Sequence, residues 1–225
     1  VYGSLATGDF EPLVSDIDMI AVLIETPDEP LVGRLGAMHE RLARANPEWV
    51  DRIEVDYVSR EGLAHCRTRS TTLARISPGE PLHFVEAGRD FLLDWYPARQ
   101  DGIALLGPPI DTLIPSIPEA EYLEEVRNYL TTFRDRFDED ASPRSQAYVI
   151  LTMCRGLCAL RSGERLSKRE AAIRARGEFP RWAPLIDRAL AWREQRWDVD
   201  LPDGSSNVAE TRAFIAEMEA VLERS

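Results

Sequence analysis

Eight consecutive residues, Ile17-Asp18-Met19-Ile20-Ala21-Val22-Leu23-Ile24, carry a single polar side chain, the carboxylate of Asp18. The run is strand-sized and rich in β-formers, and it begins directly after a polar loop. Pro27 to Pro30 break it. Leu31, Leu35, Met38 and Leu42 then recur at helical spacing within 31–45. After them Arg52-Ile53-Glu54-Val55-Asp56-Tyr57-Val58 alternates, with Ile53, Val55 and Tyr57 facing one way and Glu54 and Asp56 the other. This β-α-β order predicts a sheet covered by helices.

Farther on, residues 67–88 show no clear period. Phe91–Tyr96 reads as a helix and Gly102–Leu106 as a short strand. Gly107-Pro108-Pro109, with Pro115 and Pro118, reads as a connection. The rest is helical in pattern. Leu123, Val126, Leu130, Phe133 and Phe137 form one apolar stripe, and Ala147, Ile150, Leu151, Cys154, Leu157 and Cys158 a second. Ser167-Lys168-Arg169-Glu170 is a capping-box pattern, so a helix is expected to start there. Segments 181–197 and 208–223 complete four or five helices. The expected architecture is α+β, with an α/β domain containing a mixed sheet over 1–108, a proline-rich connection over 109–118, and a helical bundle over 119–225.

The chain has 225 residues, 44% of them hydrophobic, enough to bury a core. No stretch reaches the roughly 18 apolar residues of a membrane span. The opening Val1-Tyr2-Gly3-Ser4 has neither the basic start nor the cleavage site of a signal peptide. Val1-Tyr2 reads as the tail of a strand already under way, so the natural protein is expected to begin earlier. The three cysteines, Cys66, Cys154 and Cys158, suit a reducing cytoplasm and small core positions better than disulfides. The 39 acidic and 27 basic residues give a net charge of −12. Such a surface repels nucleic acid and suits a cationic partner, although acidity also serves solubility. A monomer is expected.

Chemistry concentrates in one pattern: Gly3-Ser4, eleven intervening residues, Asp16-Ile17-Asp18 leading into the apolar strand, and Glu54 on the alternating strand. Asp16 and Asp18 are two apart at a strand start, so their carboxylates project from one face. Mg²⁺ takes oxygen ligands, commonly one or two carboxylates plus substrate phosphates. Glu54 can supply a third carboxylate, and Asp56 on the same face is its rival. Paired metal ions clamp the attacking and leaving oxygens of an in-line displacement. Gly3 allows close backbone approach to a phosphate. Ser4 adds a hydroxyl where a helix is expected to begin, and Ser15 offers another. His39, His65 and His83 show no metal-ligand spacing, and no Gly-x-Ser-x-Gly or Walker-type loop is present.

Val1-Tyr2-Gly3-Ser4 through Ser15-Asp16-Ile17-Asp18-Met19-Ile20 resembles the signature of the polymerase-β-like nucleotidyltransferase superfamily. Within it, the chain is similar to the aminoglycoside (3″)(9) adenylyltransferases, which inactivate streptomycin and spectinomycin. Ile53-Glu54-Val55, Ala104–Pro108, Leu151–Arg155 and the stretch from Ser162-Gly163 to Lys168–Ala172 carry the likeness along nearly the whole chain. The resemblance implies that ATP is the substrate, that two Mg²⁺ ions serve the reaction, and that nucleotide and drug bind between two domains. It implies that Asp16, Asp18 and Glu54 are the catalytic and metal-binding set, with Glu54 as base. It places Arg155 and Lys168 on the ATP phosphates, Asp90 near the nucleotide, and Trp192 where the family has an aromatic.

The chain also departs from the family. Ten positions before the matched arginine the family has an acid that holds the aminoglycoside, and here stands Ser145. Asp138-Glu139-Asp140 lie nearby but out of register, and the family's drug-contacting tryptophan finds no counterpart between Glu54 and Asp90. The expected function is Mg²⁺-dependent transfer of AMP from ATP to a hydroxyl of a small cationic acceptor, an aminoglycoside. The alternatives are a nucleotidyltransferase with another acceptor, or a catalytically idle nucleotide-binding protein.

Overall fold

Ile53, Val55 and Tyr57 alternate with Glu54 and Asp56 because their strand lies between two different surfaces. The computed structural model describes residues 1–195 and 205–224. The first elements are α1 (Gly3–Thr7), β1 (Ile17–Leu23), α2 (Glu29–Ala45), β2 (Ile53–Ser59) and α3 (Arg60–Ala64). β3 (Thr71–Ser77), β4 (Glu80–Ala87) and α4 (Leu92–Asp101) follow. The strands pair in the order β1-β2-β3-β4. β1 and β2 are parallel, and the other pairs are antiparallel, so the sheet is mixed as expected.

One face of this sheet presents Met19, Ala21, Val55, Tyr57 and Ala74 to Val32, Leu35 and Met38 of α2. Asp28 starts α2 by accepting the Leu31 N–H at 2.8 Å. The opposite face packs Ile20, Val22, Val58, Leu73 and Val85 against Phe91, Leu92 and Trp95. Register places Asp18 beside Glu54, Ile20 beside Asp56, and Asp56 beside Arg75. All the charged side chains of that row therefore share the second face, at the end where β1 and β2 begin.

The unpatterned 67–88 contains the β3–β4 hairpin, turned at Gly79 with φ 79°. One expectation is corrected. The strand expected over Gly102–Leu106 does not form. Ile103 exchanges backbone hydrogen bonds with Val1 alone, at 2.8 and 3.0 Å, and Leu106 is 94% exposed. Its β-formers have no neighbouring strand to pair with, and Pro108-Pro109 ends any extension.

The chain divides into two compact units, Val1–Tyr122 and Leu123–Ser225. The helices of its later part are α5 (Glu119–Thr131), α6 (Phe133–Arg136), α7 (Pro143–Ser162), α8 (Lys168–Glu178), α9 (Ala183–Arg193) and α10 (Ser205–Leu222). α7 is buried along most of its length and packs against α8, α9 and α10. Ser142 caps it, Pro143 opens it, and Gly163 ends it in the left-handed conformation. Gly156 admits Leu130 so closely that a Cβ there would lie 2.6 Å from that side chain. The Ser167/Glu170 capping box forms as its sequence pattern predicts. The helix expected over 181–197 corresponds to α9, and residues 196 and 197 lie outside the described residues. Cys66, Cys154 and Cys158 are all buried and free. Among the described residues no helix is long and apolar enough to cross a membrane.

Candidate active site

The chain's first residues are tied to the start of β1 by one backbone bond, from the Tyr2 N–H to the Asp18 carbonyl at 3.0 Å. This sets Gly3 against Asp18. Gly3 has φ +66°, and a Cβ built on it would stand 2.0 Å from Asp18 Oδ2. The Asp18 carboxylate thus occupies space that a side chain at position 3 would take. The neighbouring Ser4 Oγ is buried without a hydrogen-bond partner.

The loop that carries Asp16 is pinned from beneath. Ser15 is buried, and its hydroxyl accepts the Glu11 N–H at 3.0 Å. Arg52 is 5% exposed and stacks over the Trp49 ring. It donates Nη2 to the Pro12 carbonyl at 2.7 Å and Nε to the Ser15 carbonyl at 3.1 Å. Asp16, half-buried, follows directly and is one residue short of the strand. Arg52 is a residue the sequence reading missed. Its signal was available, since it is the cation opening the alternating strand.

Behind Asp18 and Glu54 lies a charge cluster. Arg75 forks onto Asp56, Nε to Oδ1 at 2.6 Å and Nη2 to Oδ2 at 2.8 Å. Its Nη2 also reaches Asp94 at 3.0 Å and lies 3.7 Å from Glu54 Oε1. Burial by itself would lower the Arg75 pKa, but the bonds to Asp56 and the charges of Asp94 and Glu54 raise it, so the guanidinium stays charged. Glu54 is pushed up to about 8, first by burial; Arg75 opposes this, and Asp94, Asp18 and Asp56 add to it. Tyr2 completes the cluster. Its hydroxyl is buried and unpartnered, and its pKa is raised by burial and then by the surrounding carboxylates.

A hard divalent cation suits this donor set. Asp18 and Glu54 are adjacent across paired strands, Asp16 is next in sequence to β1, and all offer carboxylate oxygens. Among the described residues no three His, Cys, Asp or Glu side chains are gathered closely enough to hold a metal by themselves.

The remaining candidates belong to other elements of the chain. Asp90 is exposed, and its Oδ1 accepts the Gly88 N–H at 3.1 Å. Arg155, Lys168 and Trp192 belong to the second unit. Arg155 is exposed on α7 while residues 151–154 and 156–159 are buried. Lys168 opens α8 and lies 5.0 Å above the Tyr148 ring. Trp192 is 9% exposed in the helical core. Ser145 shares the cap of α7, its N–H donating to Ser142 Oγ at 3.1 Å.

Residues 112–218 match the family model described as the aminoglycoside adenylyltransferase C-terminal domain. Over that stretch the chain is similar to such a domain. The fold is also similar to that of the spectinomycin adenyltransferase AAD(9) from Enterococcus faecialis, solved with ATP and spectinomycin. The TM-score is 0.72 at 15% identity, covering 97% of this chain and 89% of that one. No curated protein sequence matches the chain. The family and the structural neighbour are both adenylyltransferases, and the α/β-then-helical order of this chain is theirs.

Proposed function

We propose that this protein transfers AMP from ATP to a hydroxyl of an aminoglycoside. One observation carries the reading: the Asp18 carboxylate fills the Cβ space of Gly3 and stands in register with Glu54. Glycine, carboxylate and base are thereby joined in one place. The family match and the structural neighbour support the choice of reaction.

Asp16, Asp18 and Glu54 would hold Mg²⁺, which supplies neutralisation of phosphate charge. Gly3 lets the Asp18 carboxylate approach its backbone, and the buried Ser4 hydroxyl has no hydrogen-bond partner; the resemblance assigns both residues to the phosphates. Arg155 and Lys168 are assigned to the ATP phosphates by resemblance, and Asp90 and Trp192 to the nucleotide on the same ground. Glu54 accepts the proton of the acceptor hydroxyl, that oxygen attacks the α-phosphate in line, and pyrophosphate leaves. Glu54 suits a base because its carboxylate, 3.7 Å from Arg75, is not captured in a hydrogen-bonded pair. Asp56 does not, because both its oxygens are spent on Arg75.

Incubation with ATP, Mg²⁺ and a panel of aminoglycosides, followed by mass spectrometry, tests the reading. AMP on streptomycin or spectinomycin is expected, and transfer to no member would overturn the choice of acceptor. A second acceptor class is favoured by Ser145, whose N–H donates to the Ser142 cap and which stands at the position of the family's drug-holding acid. Transfer to a different hydroxylated metabolite, with none to the drugs, is the outcome it predicts.

A further inference from the structure

Arg75 sits at the centre of the charged face and touches no residue assigned to the nucleotide. Its whole fork is committed to Asp56, which is fully buried. Asp94 from α4 takes a further hydrogen bond from Nη2, and the guanidinium carbon lies 4.4 Å from the centre of the Phe91 ring. These three contacts hold the guanidinium in place. The same Nη2 lies 3.7 Å from Glu54 Oε1, within ion-pair range and beyond a good hydrogen bond. Glu54 is therefore attracted without being captured, and its oxygens keep their acceptor capacity. A bidentate pair fixes both distance and angle, which a flexible ammonium does not.

We propose that Arg75 is a positioning residue for Glu54, with Asp56 and Asp94 as the clamp that holds it. It orients the Glu54 carboxylate toward the acceptor and does not itself meet substrate. This rests on Glu54 being the base. Its consequence for Asp56 is definite: that carboxylate anchors the guanidinium and takes no proton from the acceptor.

Arg75→Lys keeps the charge and removes the fork. The expected result is a fall in kcat of about 10–100-fold, since misplacing a reacting group by an ångström costs on the order of 10²-fold. KM for ATP should change by less than about threefold, as uniform binding is untouched. Asp56→Asn, a second way to loosen the clamp, should show the same split. In a Glu54→Gln background Arg75→Lys should lower kcat no further, because both act through one carboxylate. A kcat equal to that of the parent protein, or losses that multiply with Glu54→Gln, would overturn the proposal. A crystal structure of Arg75→Lys gives a readout that does not need turnover. The Glu54 carboxylate should be displaced or split between rotamers, and an unmoved Glu54 contradicts the proposal even if the wild-type protein transfers no AMP. Absence of transfer by the wild type would instead count against the proposed function, so the two failures are distinguishable.

Discussion

At Gly3 a methyl group would stand 2.0 Å from the Asp18 carboxylate, on a backbone with φ +66°. Gly3→Ala therefore suffers twice, by left-handed strain and by collision. A loss of at least ~1 kcal/mol in urea unfolding is expected, together with loss of AMP transfer as Asp18 is driven aside. Retained activity with an unchanged midpoint would detach the glycine from the carboxylate. Glu54 gives a prediction of opposite sign for stability. Burial pushes its folded carboxyl up to about 8 from its ordinary 4.5, so it stabilises the fold below 4.5 and loses that contribution as pH rises through 8. Without divalent cations, Glu54→Gln should melt at a higher temperature than wild type at pH 8–9, by a margin of about 1–3 kcal/mol, and the two should converge near pH 4.5. A gap that widens on acidification would contradict the burial argument. The pair Asp16 and Asp18 stood out in the sequence because Gly3-Ser4, the spacing to the two aspartates and the apolar strand after them occur together. Arg75 and Asp94 were not, because a lone arginine on an unpatterned stretch and an aspartate in a helix's first turn meet only through the sheet.

At the scale of elements, the loop from Asp9 to Asp16 is held by Phe10, stacked on Trp49, and by Arg52. Three carbonyls, of Pro12, Ser15 and Glu48, accept from this one buried side chain. Arg52→Met keeps the stacking over Trp49 and leaves those acceptors without donors. It should destabilise the protein by about 2–3 kcal/mol and weaken cation binding, as measured by urea melts and by calorimetry with Mg²⁺ and ATP. No change in either would remove Arg52 from the account. β1, α2 and β2 could be read from periodicity because each has one face committed to the core. The β3–β4 hairpin could not: β3 alternates Leu73 and Arg75 on the face that carries both core and charge, and β4 is an edge strand with Pro81 and exposed residues on both sides. The segment 102–106 misled for the converse reason. Local β-propensity is satisfied only by a partner strand, and none adjoins it.

For the whole molecule, the order of a mixed sheet followed by helices was legible, and a family model and a solved adenyltransferase bear out the resemblance. The acceptor was not legible, because small-molecule specificity depends on a few side chains converging from distant positions. A net charge of −12 suits a polycationic acceptor but names none. The reaction itself is the firmer claim, and its weight falls on Asp18. The most direct measurement is AMP transfer to spectinomycin and streptomycin, followed by mass spectrometry, for wild type and for Asp18→Asn at equal folded concentration. The wild type should yield an AMP adduct that requires Mg²⁺, and Asp18→Asn should yield none within the same time and lose more activity than Glu54→Gln. Equal transfer by wild type and Asp18→Asn would contradict the account.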